Sequence, residues 1–286
     1  MNDEYRDNGT RRVGQVKEIT SLANPVVKEI KALSDKKARQ ETGTFMAEGL
    51  KLVIDALELG WTIRTLVYAK AAKGKPLVDQ MAARTVASGG LVLEASEKVL
   101  TAITRRDNPQ AVVGIFDQRW MPLKDIRPKA GETWVALDRV RDPGNLGTII
   151  RTADAAGASG VILVGDATDP FSLETVRATM GSVFAVPVAK CTAEEFLAWK
   201  KTAGVSVVAT HLAGAVDYRT IDYRKKPVVL LMGNEQSGLP DLLAKQADAL
   251  ARIPQAGRAD SLNLAVATAV MLFEVRRHVL TLSENK

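Results

Sequence analysis

Ile253-Pro254-Gln255-Ala256-Gly257-Arg258-Ala259-Asp260-Ser261-Leu262-Asn263-Leu264 lies near the end of this 286-residue chain. In this stretch a loop broken by proline and glycine follows a short apolar run, and a helix is predicted where the loop ends. The apolar residues that recur at helical spacing are Leu264, Ala267, Met271, Val275 and Val279. Asp260 or Ser261 is predicted to cap this helix, because a short side-chain oxygen can accept from the exposed N–H groups of a first turn.

The composition is typical of a globular protein. Hydrophobic residues make up 46% of the chain and charged residues 25%, close to the usual shares. No run approaches the roughly 20 apolar residues that are needed to cross a bilayer. Residues 1–17 are polar and charged, which does not fit a secretory signal. We therefore expect a cytoplasmic protein.

Side chains for metal binding or covalent catalysis are scarce. The chain has one cysteine, Cys191, and two histidines, His211 and His278. This count excludes a disulfide within the chain and a cysteine-based zinc site. A structural metal site is also not expected. Neither histidine lies in a nucleophile motif, so the sequence does not indicate a Ser-His or Cys-His hydrolase.

The positive charge of the chain is concentrated in its first part. Of the net charge of +6, all comes from residues 1–130, with 22 basic against 16 acidic residues; residues 131–286 hold 17 of each. Such asymmetry predicts that the first half meets a polyanion. The alternative is an ordinary basic surface, because +6 is modest for a nucleic-acid-binding protein.

One basic cluster allows the same two interpretations. Its members are Lys28, Lys31, Lys36, Lys37 and Arg39. The cluster is either a solvated helix face or a surface that contacts phosphates, where such side chains supply affinity without sequence choice.

Helices and strands alternate in the first half, which predicts a small α/β domain over residues 1–120. The start, residues 1–16, is polar and expected to be disordered. Helices are predicted near residues 25–33, 52–60, 77–87 and 97–101, and strands at 63–68, 91–93 and 111–116. Residues 121–131, with their prolines and charges, are predicted to be a linker.

The second half, residues 132–286, also alternates. Strands are predicted at 133–138, 161–164, 183–188, 205–210 and 228–232. Helices are predicted between the loop that holds Pro143 and Gly144 and the stop at Gly157, and at 173–180, 193–202 and 241–245. Several of the strands are near-continuous apolar runs, as strands buried on both faces are, so we expect a mostly parallel sheet. Ligands of such sheets bind at the carboxyl ends of the strands, where the glycine-rich loops of this chain lie.

Common nucleotide-binding signatures do not fit these loops. No segment has the Walker A spacing. After the first strand of this half, Gly144 and Gly147 are three residues apart and no third glycine follows in register, so the Gly-x-Gly-x-x-Gly fingerprint of NAD enzymes is absent.

Three loops in this half carry an ordered set of motifs. They are Asn145–Ala153, Met232–Leu239 and Ile253–Asn263. The set closely resembles the SpoU (TrmH) family of RNA 2′-O-ribose methyltransferases, within the SPOUT superfamily, over residues 133–280. More loosely, the first half resembles the ribosomal-protein-like α/β domain that binds substrate in ribosomal-RNA members. The matching pieces there are Ile19–Pro25, Phe45–Gly49 and Asn108–Val112.

The resemblance implies a fold and a cofactor that spacing alone does not reveal. The catalytic domain would be an α/β SPOUT domain whose C-terminal segment threads a loop to form a deep trefoil knot. The cofactor would be S-adenosylmethionine, held largely through backbone groups. The positions matched to cofactor binding are Thr210, Gly233, Ile253 and Leu262.

The same resemblance implies a set of catalytic residues and a homodimer. The positions matched to the functional polar residues of the family are Asn145, Arg151, Glu235, Ser261 and Asn263. Arg151 is expected to act near the cofactor of the partner subunit. Taken singly, each residue also has a structural interpretation, such as a loop-bracing Asn145 or a surface Arg151.

The reaction assigns distinct roles to these groups. A ribose 2′-hydroxyl must lose its proton while it attacks a sulfonium methyl group in line, so positioning supplies much of the catalysis. A guanidinium is not deprotonated in proteins. We therefore expect Arg151 to grip a phosphate and stabilise developing negative charge, and the proton to pass to that phosphate, to water or to Glu235.

Two stretches depart from the family pattern without touching these positions. Thr179 and Ser182 stand where relatives often carry serine and alanine, and Gln236 and Ser237 change the chemistry of their loop.

From the resemblance as a whole we predict an S-adenosylmethionine-dependent RNA (ribose-2′-O)-methyltransferase acting on ribosomal RNA. The alternatives are the same chemistry on transfer RNA, or a catalytically silent RNA-binding dimer.

Overall fold

The computed structural model describes residues 14–212 and 215–281, and the chain divides into two compact units, Met1–Gln118 and Arg119–Lys286. Most of the start that was expected to be disordered lies outside the described residues. Its last members do not fit that expectation, because a strand begins at Gln15.

The first unit is a five-stranded mixed sheet with helices. Its elements are β1 Gln15–Ile19, α1 Pro25–Ala32, α2 Lys36–Thr42, β2 Thr44–Glu48, α3 Leu50–Glu58, β3 Ile63–Ala69, α4 Pro76–Ala87, β4 Leu91–Ala95, α5 Glu97–Thr104 and β5 Val112–Asp117. The strand order is β1-β4-β3-β5-β2, with β5 antiparallel to both of its neighbours. The predicted α/β character of this half is confirmed.

Three elements of this unit were missing from the sequence-based assignment. Strand β1 lies at the sheet edge and is exposed except at Ile19, so it lacks the apolar run of a buried strand. Strand β2 is buried at all five positions, and a run so short cannot be distinguished from helix by periodicity. Helix α2 begins without a side-chain cap, which removes the usual start signal.

Arg39 does not belong to the exposed basic cluster. It is 3% exposed, and its guanidinium Nη1 donates to the carbonyl of Leu33 at 2.7 Å. The side chain therefore fastens α2 to the end of α1 and cannot contact a phosphate. The other four members of the cluster are exposed.

The second unit is a seven-stranded sheet with helices. Its elements are β6 Thr133–Asp138, α6 Pro143–Ala155, β7 Gly160–Val164, α7 Leu173–Thr179, β8 Val188–Cys191, α8 Ala193–Ala203, β9 Ser206–Thr210, β10 Val216–Asp217, β11 Val228–Met232, α9 Asp241–Lys245, β12 Ala249–Arg252 and α10 Leu264–Arg276. The strand order is β10-β12-β9-β11-β6-β7-β8, and every adjacent pair is parallel. The predicted parallel sheet is confirmed.

Two assignments in this unit were wrong. The strand predicted over 183–188 is a 3-10 turn, Ser182–Phe184, followed by β8 from Val188. Gly181, at φ 104°, bends the chain into that turn. The cap predicted at Asp260 or Ser261 is instead Asn263, whose Oδ1 accepts from the N–H groups of Ala265 at 2.9 Å and Val266 at 3.2 Å.

The segment predicted to be a linker, residues 121–131, lies within the second unit and packs against β8 and α8. The N–H of Met121 donates to the carbonyl of Val188 at 2.9 Å. Ile126 is buried, and its carbonyl accepts from the indole Nε1 of Trp199 at 3.1 Å. The segment is therefore part of the packed layer beside β8.

Helix α10 is fastened to α6, and this brings the two helices that carry polar loop residues together. Arg276, in the last turn of α10, donates through Nε to the carbonyl of Ala156 at 3.1 Å and through Nη1 to that of Gly131 at 2.7 Å. Such charge-assisted bonds are stronger than neutral ones. None of the described helices combines the length and apolar character that a membrane crossing requires.

Gly147 lets α6 lie directly against α7. A Cβ atom at this position would lie 2.4 Å from the Cβ of Ala178 and 2.7 Å from the carbonyl oxygen of Thr175, distances that real contacts do not reach. The glycine two residues after Asn145 is therefore a packing residue, and it fixes the depth at which α6 sits.

We expect Gly147→Ala to lower the free energy of unfolding by about 1–3 kcal/mol, because overpacking forces neighbouring groups apart. Chemical denaturation followed by circular dichroism measures this. Thr148→Ala, at an exposed neighbouring position of the same helix, is the matched control and should change stability by less than about 0.5 kcal/mol. Equal effects of the two variants would show that α7 can move away at no cost.

Candidate active site

Polar loop residues meet at one edge of the second sheet. Because the strands are parallel, the chain leaves β6, β9, β11 and β12 on the same side. Asn145 lies in the first turn of α6 after β6, Glu235 lies in the loop 233–240 after β11, and Asn263 ends the loop after β12. We call residues 233–240 the Glu235 loop.

These three side chains form a hydrogen-bonded chain. The Nδ2 group of Asn263 donates to Oδ1 of Asn145 at 2.9 Å, and Nδ2 of Asn145 donates to Oε1 of Glu235 at 3.3 Å. Residues 118 and 90 positions apart in sequence are thus brought into contact. The sequence-based prediction named all three, and the structure places them together.

The direction of this chain is fixed by helix α10. Oδ1 of Asn263 is occupied by the first N–H groups of that helix, so only its Nδ2 is left to face Asn145. Asn145 must then present its oxygen to Asn263 and its Nδ2 to Glu235, because an amide has one acceptor end and one donor end. The carboxylate of Glu235 is the terminal acceptor.

The backbone around Asn145 is fixed by a residue that the sequence-based prediction did not name as functional. Asp142 caps α6, and its Oδ1 accepts from the N–H of Asn145 at 2.6 Å. Pro143 occupies the first helical position, where its missing N–H costs nothing. An acidic residue followed by proline is a helix-start signal, so the sequence offered a way to find Asp142.

Asn234 organises the Glu235 loop and was likewise missed. Its Oδ1 accepts from the N–H groups of Gln236 at 2.9 Å and Ser237 at 3.1 Å, which is an Asx-type turn. Its Nδ2 donates to the carbonyl of Arg139 at 2.8 Å and to Oε2 of Glu235 at 3.4 Å. Glu235 therefore accepts from two amide groups, one on each carboxylate oxygen.

Arg151 and Ser261 are not part of this chain of contacts. Both are exposed, and neither side chain makes a hydrogen bond or ion pair with a residue that the structure describes. Arg151 follows Asn145 by six residues on α6, and at about 100° per residue the two side chains point some 120° apart. One helix thus presents Asn145 to the polar edge and Arg151 in another direction.

One of the predicted cofactor positions, Gly233, lies at a tight loop junction. A Cβ atom on Gly233 would lie 2.5 Å from the backbone nitrogen of Leu239, so only glycine fits there. Thr210 ends β9, and its Oγ1 lies 3.7 Å from the sulfur of Met232. Ile253 packs on the core, and Leu262 is exposed.

The loop after β12 has backbone N–H and C=O groups without a hydrogen-bond partner in the described part of the chain. Among the described residues, none bonds to the N–H or C=O groups of residues 255–262. These residues are exposed, so their backbone groups bond to water or to a ligand. A polar ligand held through backbone groups, as predicted for S-adenosylmethionine, fits this donor and acceptor set.

Cys191 is excluded as a nucleophile. The side chain is buried in β8, and burial raises the pKa of its thiol to about 12. The thiolate, which is the reactive form, is therefore not populated near neutral pH.

Comparison with known proteins identifies the family. Residues 132–273 match the SpoU rRNA Methylase family, and residues 24–114 match the MRM3-like substrate binding domain. A 23S rRNA (guanosine(2553)-2′-O)-methyltransferase of Bacillus subtilis is 32% identical over 261 residues, which cover 91% of this chain and 100% of that protein. The chain belongs to the SpoU (TrmH) family of methyltransferases, as predicted.

Solved structures extend the comparison. An rRNA methyltransferase from Sinorhizobium meliloti is 73% identical, with a TM-score of 0.89 over 94% of this chain and 100% of that one. The same protein has been solved with AdoMet bound. A SpoU methyltransferase from Streptomyces viridochromogenes, also solved with AdoMet, has a TM-score of 0.79 at 30% identity and covers 89% of this chain and 98% of that one. The predicted fold class is confirmed by these neighbours.

We expect Asn263→Asp to leave stability within about 0.5 kcal/mol of the wild type, because aspartate caps helices as well as asparagine does. The variant lacks the donor that orients Asn145, so Asn145 will turn its Nδ2 toward the new carboxylate and away from Glu235. Methyl transfer should fall about tenfold or more. Thermal denaturation and a methyl-transfer assay measure the two effects.

Asn263→Ala is the companion variant, and it should lose both the cap, at about 1 kcal/mol, and methyl transfer. Normal turnover by Asn263→Asp would show that the direction of the hydrogen bonds is unimportant.

Proposed function

We propose that this protein transfers the methyl group of S-adenosylmethionine to a ribose 2′-hydroxyl of RNA, and that the RNA is ribosomal. The observation that carries the proposal is the hydrogen-bonded chain from Asn263 through Asn145 to Glu235, at the strand ends beside the glycine-built loop junction. Family membership and the AdoMet-bound relatives support the cofactor and the reaction class.

The cofactor supplies an electrophilic methyl group on a sulfonium sulfur. The residues that would hold it are Thr210, Gly233, Ile253 and Leu262, together with the backbone groups of residues 255–262 that have no partner among the described residues. A side chain at Gly233 would collide with the backbone of Leu239, so the glycine allows the two backbone segments to lie close together. This arrangement supports binding through backbone contacts.

Glu235 is the proposed acceptor for the 2′-hydroxyl proton, directly or through water. Its carboxylate oxygens accept from Asn145 and Asn234, which orients the carboxylate without supplying a counter-charge. Asn263 orients Asn145, and Ser261 lies in the same loop to contact substrate. Positioned proton acceptors contribute about 10²–10⁴-fold to rates.

Arg151 is proposed to grip an RNA phosphate and to stabilise charge that develops on the attacking oxygen. Its side chain is exposed and makes no ion pair with a described residue, so its donors are available. A guanidinium binds phosphate through paired, charge-assisted hydrogen bonds and cannot serve as the base.

The first unit is proposed to recognise the RNA. Its match to the MRM3-like substrate binding domain and the basic excess of residues 1–130 both support this role. The Bacillus subtilis relative is named for a guanosine of 23S rRNA. A Streptomyces viridochromogenes relative, 32% identical over 251 residues, is named for a uridine of 23S rRNA. These relatives therefore favour ribosomal RNA over transfer RNA, and they do not indicate which nucleobase the methylated nucleotide carries.

We also propose a homodimer in which Arg151 acts near the cofactor of the partner subunit. Helix α10 is apolar on its outer side as well as toward the core: Val266 is 51% exposed and Phe273 47%. Together with the half-buried Val270, these residues recur at i, i+4 and i+7 and form one face. The direction of Arg151, away from Asn145, suits a site on another chain.

The C-terminal trefoil knot, the metal-free chemistry and the cytoplasmic location complete the proposal. The knot is supported by the likeness to SpoU structures, and by α10 returning to pack on α6 and β11 after β12. The proposed proton transfer needs no metal. The cytoplasm is where ribosomal RNA would be met.

The reaction is tested with labelled S-adenosylmethionine and total ribosomal RNA or total transfer RNA from a strain that lacks this protein. We expect label in ribosomal RNA at a linkage that resists alkali, because alkaline cleavage requires a free 2′-hydroxyl. Label in transfer RNA alone would overturn the substrate. Cofactor binding without label in naked RNA or in isolated ribosomal subunits would favour the silent RNA-binding dimer.

Arg151→Ala serves as the catalytic control in that assay. It should reduce transfer about a hundredfold or more, by analogy with lost charge-stabilising donors, while calorimetry shows unchanged cofactor affinity. Arg151→Lys keeps the charge without the paired donors and should recover only part of the rate. Normal turnover by Arg151→Ala would remove this residue from the mechanism.

Phe273→Glu should convert the dimer to a monomer, because it places a charge on the apolar face of the proposed interface. Light scattering after size-exclusion chromatography measures the mass. Leu59→Glu, at a similarly exposed apolar position of the first unit, is the control and should stay dimeric. A wild-type monomer, or a Phe273→Glu dimer, would contradict the α10 interface.

A further inference from the structure

Arg139, directly after β6, holds an unusual backbone conformation. Its φ is 49°, in the left-handed region that residues other than glycine seldom occupy. Its N–H donates to the carbonyl of Val164 at 2.9 Å, which ties it to the neighbouring strand β7. The residue is therefore held in place by the sheet edge.

Both the backbone and the side chain of Arg139 contact the Glu235 loop. The carbonyl of Arg139 accepts from Nδ2 of Asn234 at 2.8 Å, and its Nη2 donates to Oγ of Ser237 at 3.3 Å. These contacts lie on either side of Glu235. One residue of the β6–α6 connection thus fastens the loop at two points.

The guanidinium is aimed at the loop by a buried carboxylate. The side chain of Asp138 is 3% exposed, and that of Arg139 is 36% exposed. Nε and Nη2 of Arg139 each lie 2.9 Å from Oδ2 of Asp138. A buried carboxylate requires a partner, so the pair keeps the guanidinium from swinging into solvent.

We infer that Arg139 is a positioning residue that latches the Glu235 loop through Ser237 and thereby holds Glu235 in place for proton transfer. The hydrogen bonds that Glu235 itself accepts are long, at 3.3 and 3.4 Å, so its position depends on the loop. This inference rests on the proposed role of Glu235. It also gives a function to Ser237, one of the two unusual residues of the loop.

Arg139→Gly removes the side-chain contacts to Ser237 and to Asp138, while glycine adopts a positive φ without strain. Ser237→Ala removes the contact to Arg139 and leaves the pairing with Asp138 in place. In Arg139→Gly we expect kcat to fall about tenfold, as small displacements of reacting groups have large effects, with KM for RNA unchanged within about twofold. Ser237→Ala should lower kcat in the same direction, and Ser237→Thr, which keeps the hydroxyl, should restore it.

Arg141→Ala is the matched control. Arg141 lies two residues on in the same connection and pairs with exposed Asp166 at 2.9 Å, and within the described chain it makes no hydrogen bond to the Glu235 loop. It should leave kcat unchanged. If Arg139→Gly and Arg141→Ala raise KM for RNA alike and leave kcat intact, Arg139 attracts RNA by charge and the latch is wrong.

Hydrogen–deuterium exchange tests the latch without any substrate. Amides of the Glu235 loop should exchange faster in Arg139→Gly and Ser237→Ala than in the wild type or Arg141→Ala. Ser237→Ala should do so at an unchanged melting temperature, whereas Arg139→Gly should melt lower because it leaves the buried carboxylate of Asp138 without its partner. Unchanged exchange in Arg139→Gly would overturn the latch, whatever the activity. Faster exchange in a protein whose wild type methylates no RNA would uphold the latch and overturn the proposed function.

Discussion

The polarity of the whole site depends on one helix N-terminus. The first N–H groups of α10 bind the side-chain oxygen of Asn263 because they have no partner within the helix. That single constraint determines the orientation of the side-chain amides of Asn263 and Asn145. The carboxylate of Glu235 is then the last acceptor of the chain. The chain of amides itself contains no cation, and the guanidinium of Arg151 lies exposed elsewhere on α6.

Much of the second unit could be predicted from the sequence because its strands are buried on both faces. Strands β6 and β11 and helix α9 have the predicted boundaries, since apolar runs between glycine and proline mark them clearly. Edge strands such as β1 and short buried ones such as β2 carry no such pattern. The misplaced cap at the start of α10 has a related origin: Asp260, Ser261 and Asn263 are all good caps, and only the geometry of the loop selects among them.

The site residues were predicted from the resemblance to a family. The structure divides these residues into two groups. Asn145, Glu235 and Asn263 satisfy one another within the chain, whereas Arg151 and Ser261 point to solvent. The residues that sequence reasoning missed, Asp142, Asn234 and Arg139, act through backbone turns and loop contacts. Such roles depend on which segments the fold brings together, and local patterns do not record that.

The burial of Cys191 has a practical consequence. As the only cysteine of the chain, and one that stays a thiol in the interior of β8, it will not compete for thiol-directed probes under native conditions. A cysteine introduced at a chosen surface position would therefore carry a spectroscopic label at a single site in an otherwise natural sequence. Distances between loops could then be followed in solution without first replacing a native residue.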